Sequence, residues 1–145
     1  DLPEVGAEVK TRKWGSTSGH TVGAMLPQDI LHTQWHKSNI HDKVQHQLRI
    51  YHKVNELTGD NVVVSAQLYD FTSDKIQKKL EQAWQHCRGV LHQGDLFDYI
   101  RGVDKWAYLE MQPNGYYQFR IQPGIMKKME HIAHASRSKL FDFGD

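Results

Sequence analysis

The chain has 145 residues, enough for one domain, and a domain of that size buries roughly 68–70% of the surface its unfolded chain exposes. Its 18 lysines and arginines against 17 acidic residues leave a formal charge of +1, which excludes a globally basic nucleic-acid binder; affinity for DNA has to come from a local patch. The single cysteine, Cys87, excludes an internal disulfide framework and a cysteine-rich zinc site, and no apolar run approaches the ~18 residues of a membrane span. The opening DLPEVGAEVK has neither the basic nor the apolar region of a signal peptide, so a soluble cytoplasmic protein with no membrane association is expected. It also lacks an initiator Met and begins directly in motif-like sequence, so an upstream continuation is expected.

Around Gly6 to Thr11, Ala7 and Val9 alternate with the charges of Glu8 and Lys10, the period of a strand. Gly15 to Gly23 is rich in Gly, Ser and Thr and reads as a turn or loop leading into the apolar Val22 to Leu26. A short helix is expected from Pro27 to about His36, and two strands, Arg49 to Leu57 and Asn61 to Tyr69, flank the turn Thr58-Gly59-Asp60. Ser73 is a good N-cap for a helix with apolar residues at Ile76, Leu80, Trp84, Cys87 and Leu91, closed by Gly94. A short helix over Asp95 to Arg101 follows. Trp106 to Met111 and Tyr116 to Ile121 then flank Gln112-Pro113-Asn114-Gly115, a hairpin signal. Ile125, Met129, Ile132 and Ala133 mark a last helix face, and the final residues read as a tail. These elements imply an α/β fold, a mixed twisted sheet flanked by helices.

Phosphodiester hydrolysis needs a metal to neutralise the phosphate and activate water, and a cation near the attacking oxygen. Mg²⁺ takes oxygen ligands, so carboxylates from neighbouring segments are the minimum. Asp1, Glu8 and Lys10 meet this as Asp-x6-Glu-x-Lys, with Glu8 and Lys10 side by side on one strand face. The same pattern also describes a surface strand with a Glu/Lys pair worth roughly 0–1 kcal/mol.

The wider stretch Asp-Leu-Pro-Glu-Val-Gly-Ala-Glu-Val-Lys-Thr resembles the active-site segment of the MutH family of PD-(D/E)xK endonucleases, in the acid-to-acid spacing, the Gly two residues before the second acid and the Lys-Thr that follows. The resemblance extends through the order of elements: His41-Asp42-Lys43-Val44, the Arg49 to Tyr69 strands, the Ser73 to Gln93 helix, the Asp95 to Arg101 helix, and Phe119-Arg120-Ile121-Gln122-Pro123. It implies a restriction-endonuclease-like core, with Asp1, Glu8 and the Val9 carbonyl as Mg²⁺ ligands and Lys10 orienting the attacking water. Lys43 matches a second family lysine near the active site, although a lysine at such a position is more often simply solvated. Gln122-Pro123 stands where the family has Arg-Pro at the DNA-reading end of a strand; Gln suits adenine where Arg suits guanine, and a plain turn is an equal alternative. The family's further catalytic Glu comes from an upstream helix, and its C-terminal base-reading elements have no clear counterpart in Ala135 to Asp145.

The implied function is Mg²⁺-dependent cleavage of double-stranded DNA at a short specific sequence, by a monomer or dimer on DNA. A type II restriction endonuclease is the first reading; a mismatch-repair nicking enzyme or a non-catalytic DNA-binding domain of the same descent are the alternatives. Arg12 and Lys13, adjoining the motif, and Lys37 and Arg120 are candidate DNA contacts, with Gln122 as a reader. Trp14 and Trp35, each next to or near lysines, are open between DNA contact and packing, whereas Trp84 and Cys87 belong to a helical apolar face. His32 and His36 share i,i+4 spacing, but Thr33 stands where a zinc protease needs Glu.

Overall fold

The computed structural model describes residues 6–93 and 104–129. The expected positions of Asp1, the Gly94 cap, the 95–101 helix, Ile132, Ala133 and the tail lie outside them. Strand β1 (Glu8–Lys13) runs parallel to β3 (His46–Val54), which pairs antiparallel with β4 (Asn61–Asp70), giving a mixed sheet of order β1-β3-β4. A second, antiparallel sheet has the order β2-β6-β5, formed by β2 (His20–Met25), β6 (Tyr117–Ile121) and β5 (Ala107–Met111). Parallel neighbours need a crossover. Residues 14–45 provide it, carrying β2, helix α1 (Pro27–His32), a 3-10 turn (Trp35–Lys37) and helix α2 (Asn39–Val44). Mixed strand pairing flanked by helices is the expected α/β arrangement, divided here between two three-stranded sheets.

The longest helix, α3 (Asp74–His92), forms where its sequence asks for it: Ser73 Oγ accepts the Ile76 N–H, and Leu80, Ala83, Trp84, Cys87 and Leu91 are buried along one face. Trp84 is fully enclosed, against Trp35 and Phe119, and its indole N–H donates to the Thr33 carbonyl at 3.1 Å. Truncating such an aromatic costs about 3–5 kcal/mol. Arg88 donates to the carbonyls of Ile30 and Thr33, so α3 holds the C-terminal end of α1. The helix expected to reach His36 therefore stops at His32: Thr33 is extended, and its carbonyl is spent on α3. A further departure is β2, expected as a loop up to Gly23. Only the residues before His20 are irregular; the rest is held by its ladder with β6, a partner some hundred residues away that local composition does not reveal.

The mixed sheet is built with its polar side inward. Along β3 the buried residues are Gln47, Arg49 and Tyr51, while Leu48 and Ile50 are only half-buried; along β4, Tyr69 is buried and Leu68 exposed. By register, Glu8, Lys10 and Arg12 share this inward face with Gln47, Arg49 and Tyr51, and beyond them with Tyr69, Gln67 and Ser65. This inverted polarity places the motif residues against the rest of the molecule.

Candidate active site

Glu8 and Lys10 project from one side of β1, as the strand period dictates, with Lys10 Nζ 3.6 Å from Glu8 Oε1. Their side chains keep only 16% and 27% of their exposure, so the pair stands in a recess. Glu8 lies opposite Gln47, whose buried side chain donates to the Lys43 carbonyl at 3.2 Å and accepts from Arg49 at 2.5 Å. Glu8 is the one carboxylate in the three register rows of this face. It is an oxygen donor with no His or Cys beside it in those rows, which suits a hard cation. Among the described residues no three His, Cys, Asp or Glu side chains come together as a metal-binding group. Asp1, the second carboxylate of the expected set, lies outside the described residues.

Two residues further along β1, Arg12 turns to the loop that follows. Its guanidinium donates to the carbonyls of Ser16 (3.1 Å), Ser18 and Gly19 (3.3 Å). Arg120, on β6, donates to the same Gly19 carbonyl at 2.9 Å and pairs with Glu110 at 3.2 Å; Arg49 donates to the Thr21 carbonyl at 2.6 Å. Three guanidinium groups from β1, β3 and β6 thus clasp the start of β2 and join the two sheets. Gly19 is required there: a Cβ would collide with the Tyr108 hydroxyl, which accepts the Gly19 N–H at 3.1 Å. Burial, then the charges of Arg12, Arg49 and Arg120, hold the His20 imidazole down to about 3, so it is neutral. Burial also lowers Arg49, to about 10, which leaves it charged at neutral pH. A cleft of about 370 Å³ opens beside the clasp, lined by Arg12, Ser16, His20, Tyr51 and Lys127 among others.

The remaining sequence candidates divide. Lys43, on α2, lays its side chain over Gly23 of β2, where a Cβ would come within 3.2 Å of Lys43 Cδ; only its main chain is linked, through Gln47, to the row of Glu8. Val9 belongs to the opposite side of β1, although its carbonyl is a main-chain atom of an edge strand. Lys13 and Lys37 are exposed. Gln122 donates to the Asp104 carbonyl at 3.2 Å at the end of β6. Trp14 is 54% exposed and meets Tyr51 edge-on, whereas Trp35 is 3% exposed and packs on Trp84 and Phe119, which settles it as a core residue. Cys87 is buried, its thiol pushed up to about 12 by burial and Asp104. Sequence reasoning passed over Gln47 and Arg49. Their signal was polar residues at period two, opposite to the apolar Leu48 and Ile50, in the strand next to the motif.

No protein-family model matches the chain, and no curated protein is significantly similar to it in sequence. No helix among the described residues is long and apolar enough to cross a membrane.

Proposed function

We propose that the chain is a Mg²⁺-dependent endonuclease that cuts double-stranded DNA at a short specific sequence, on a restriction-endonuclease-like core, as a type II restriction endonuclease. The observation that carries this reading is the Glu8–Lys10 pair, side by side in a recess of an edge strand at 3.6 Å. Glu8, with Asp1 and the Val9 carbonyl, would hold the cation, and Lys10 would orient the attacking water. Gln47 and Arg49, locked to one another and to main-chain carbonyls, keep the floor of the site rigid. Mg²⁺, when bound, neutralises charge on the phosphate and favours the ionised form of its water. Exposed Lys13 and Lys37 supply phosphate contacts, and Gln122 stands near the end of β6 as a base reader.

The test is incubation of the purified chain with supercoiled plasmid in Mg²⁺, and in Ca²⁺ as a binding control. Discrete linear fragments are the expected product. Open circles alone would identify a nicking enzyme of the MutH type. Duplex binding with no Mg²⁺-dependent cleavage at high protein concentration would overturn the nuclease reading in favour of a non-catalytic DNA-binding domain.

A further inference from the structure

We infer that the cleft between α3 and the start of β5 is a binding site for a phosphate monoester, with His86, Lys79 and Lys105 as its ligands and Asp104 as the positioning residue. The cleft measures about 670 Å³ and is lined by Lys79, Gln82, His86, Asp104, Lys105 and Gln122 with Trp106, none of them on β1 or β3. The inference does not depend on the nuclease reading.

Its centre is a carboxylate-backed imidazole. His86 Nδ1 lies 2.6 Å from Asp104 Oδ2, and because a carboxylate only accepts, Nδ1 carries the proton and donates. Asp104 is itself immobilised: Oδ1 accepts the N–H groups of Trp106 (2.7 Å) and Ala107 (3.4 Å), its carbonyl accepts from Gln122, and its side chain is 11% exposed. The ring is therefore held from behind while 56% of it stays open, leaving Nε2 for a ligand. Lys79, Gln82 and His86 follow one another at i, i+3 and i+7, so they share one face of α3. Among the described residues neither Lys79 nor Lys105 has an ion-pair partner, and the Asp104 charge is taken up by His86 and two amides.

The titratable groups facing His86 are Lys79 on its own helix and Asp104 and Lys105 ahead of β5; Cys87 is buried and neutral. Protonated His86 and the two lysines present only donors and positive charge. A phosphate monoester matches them: near neutral pH it carries about −1.5 to −2 charge with three acceptor oxygens. A phosphodiester, with a single charge and two free oxygens, matches less well.

The experiment follows the His86 ring signals of the full chain by NMR while adding inorganic phosphate, a 5′-nucleoside monophosphate, and two duplexes differing only in 5′-phosphate or 5′-hydroxyl ends. Phosphate and the nucleotide should move the His86 signal saturably, and only the 5′-phosphorylated duplex should do the same. The double variant Lys79→Ala, Lys105→Ala, confined to exposed side chains, should weaken phosphate by at least about tenfold. Asp104→Asn keeps an acceptor for the Trp106 N–H but removes the charge behind the ring, and should reduce the phosphate-induced movement of the His86 signal in a chain that still folds. A His86 signal that phosphate leaves unmoved, or that chloride at equal ionic strength moves equally, overturns the site. An equal response to the 5′-hydroxyl duplex overturns the preference for a monoester.

Discussion

Lys10 and Arg12 stand on the same face of β1, two residues apart, and do opposite things. Lys10 meets one carboxylate oxygen in a recess and keeps two of its three N–H directions for other partners. Arg12 is spent on three main-chain carbonyls of the loop that follows, together with Arg120 and Arg49 on the same short segment. The planar five-donor fork of arginine suits several fixed carbonyls at once, whereas an ammonium is a compact point charge. Position beside a catalytic motif therefore does not make a cation a ligand for substrate. What decides is whether its donors are already consumed by the fold. By that criterion Lys10 stays available for the proposed chemistry, while the donors of Arg12 and Arg120, expected from their charge to contact DNA, already serve the scaffold.

The comparison breaks first at Glu8 and Lys10. Glu8→Ala or Lys10→Ala should lower Mg²⁺-dependent cleavage by at least about 10³-fold, in line with the loss of a metal ligand or of transition-state charge stabilisation, while duplex binding in Ca²⁺ persists. Plasmid cleavage within tenfold of wild type in either variant would remove the pair from the chemistry. Next in size comes the clasp. Arg49→Met leaves the Thr21 carbonyl and the Gln47 amide oxygen without their donor in a site only 2% exposed, and should cost about 3 kcal/mol in urea unfolding. A cost below 1 kcal/mol would show that the two sheets are joined by other means.

His20, enclosed by the same three arginines, makes the clasp sensitive to acid. Its folded value, about 3, lies below the ordinary 6.5, so the unfolded chain binds a proton that the folded chain refuses. Its contribution is complete above about pH 6.5 and is lost as pH falls from there toward about 3, at roughly 1.4 kcal/mol per pH unit. Urea midpoints across that window should show this slope, and His20→Gln should flatten it. A slope identical in the variant would place the acid sensitivity elsewhere.

Much of the fold was legible where one segment determines its own structure. Ser73 and the apolar spacing of Ile76 to Leu91 defined α3, Asn114-Gly115 the hairpin, and the alternation around Glu8 and Lys10 the strand that sets them on one side. What escaped depends on partners distant in the chain. β2 exists because β6 pairs with it, and α1 ends at His32 because Trp84 and Arg88 take the Thr33 carbonyl. Charge could be read at Arg12 and Arg120, but not the carbonyls they serve. The inverted polarity of β3 was present in Gln47-Leu48-Arg49-Ile50-Tyr51 as alternation, yet alternation alone does not say which side faces inward.

The smallest effects belong to the cations that the scaffold does not consume. Lys13, at the end of β1, and Lys37, on the turn before α2, are both exposed, and Ala at either should change stability by no more than about 0.5 kcal/mol. In a DNA-cleaving enzyme their work is done only on the duplex, through its phosphates. Removing one lysine–phosphate interaction reduces the dependence of log affinity on log salt by about 0.9, so the double variant should bind duplex in Ca²⁺ with a slope shallower by close to two. Arg12→Met, by contrast, should weaken folding while leaving that slope unchanged in the folded fraction, because its donors already serve the loop. A shallower slope for Arg12→Met together with an unchanged one for the lysine pair would reverse the division between scaffold and DNA-facing cations.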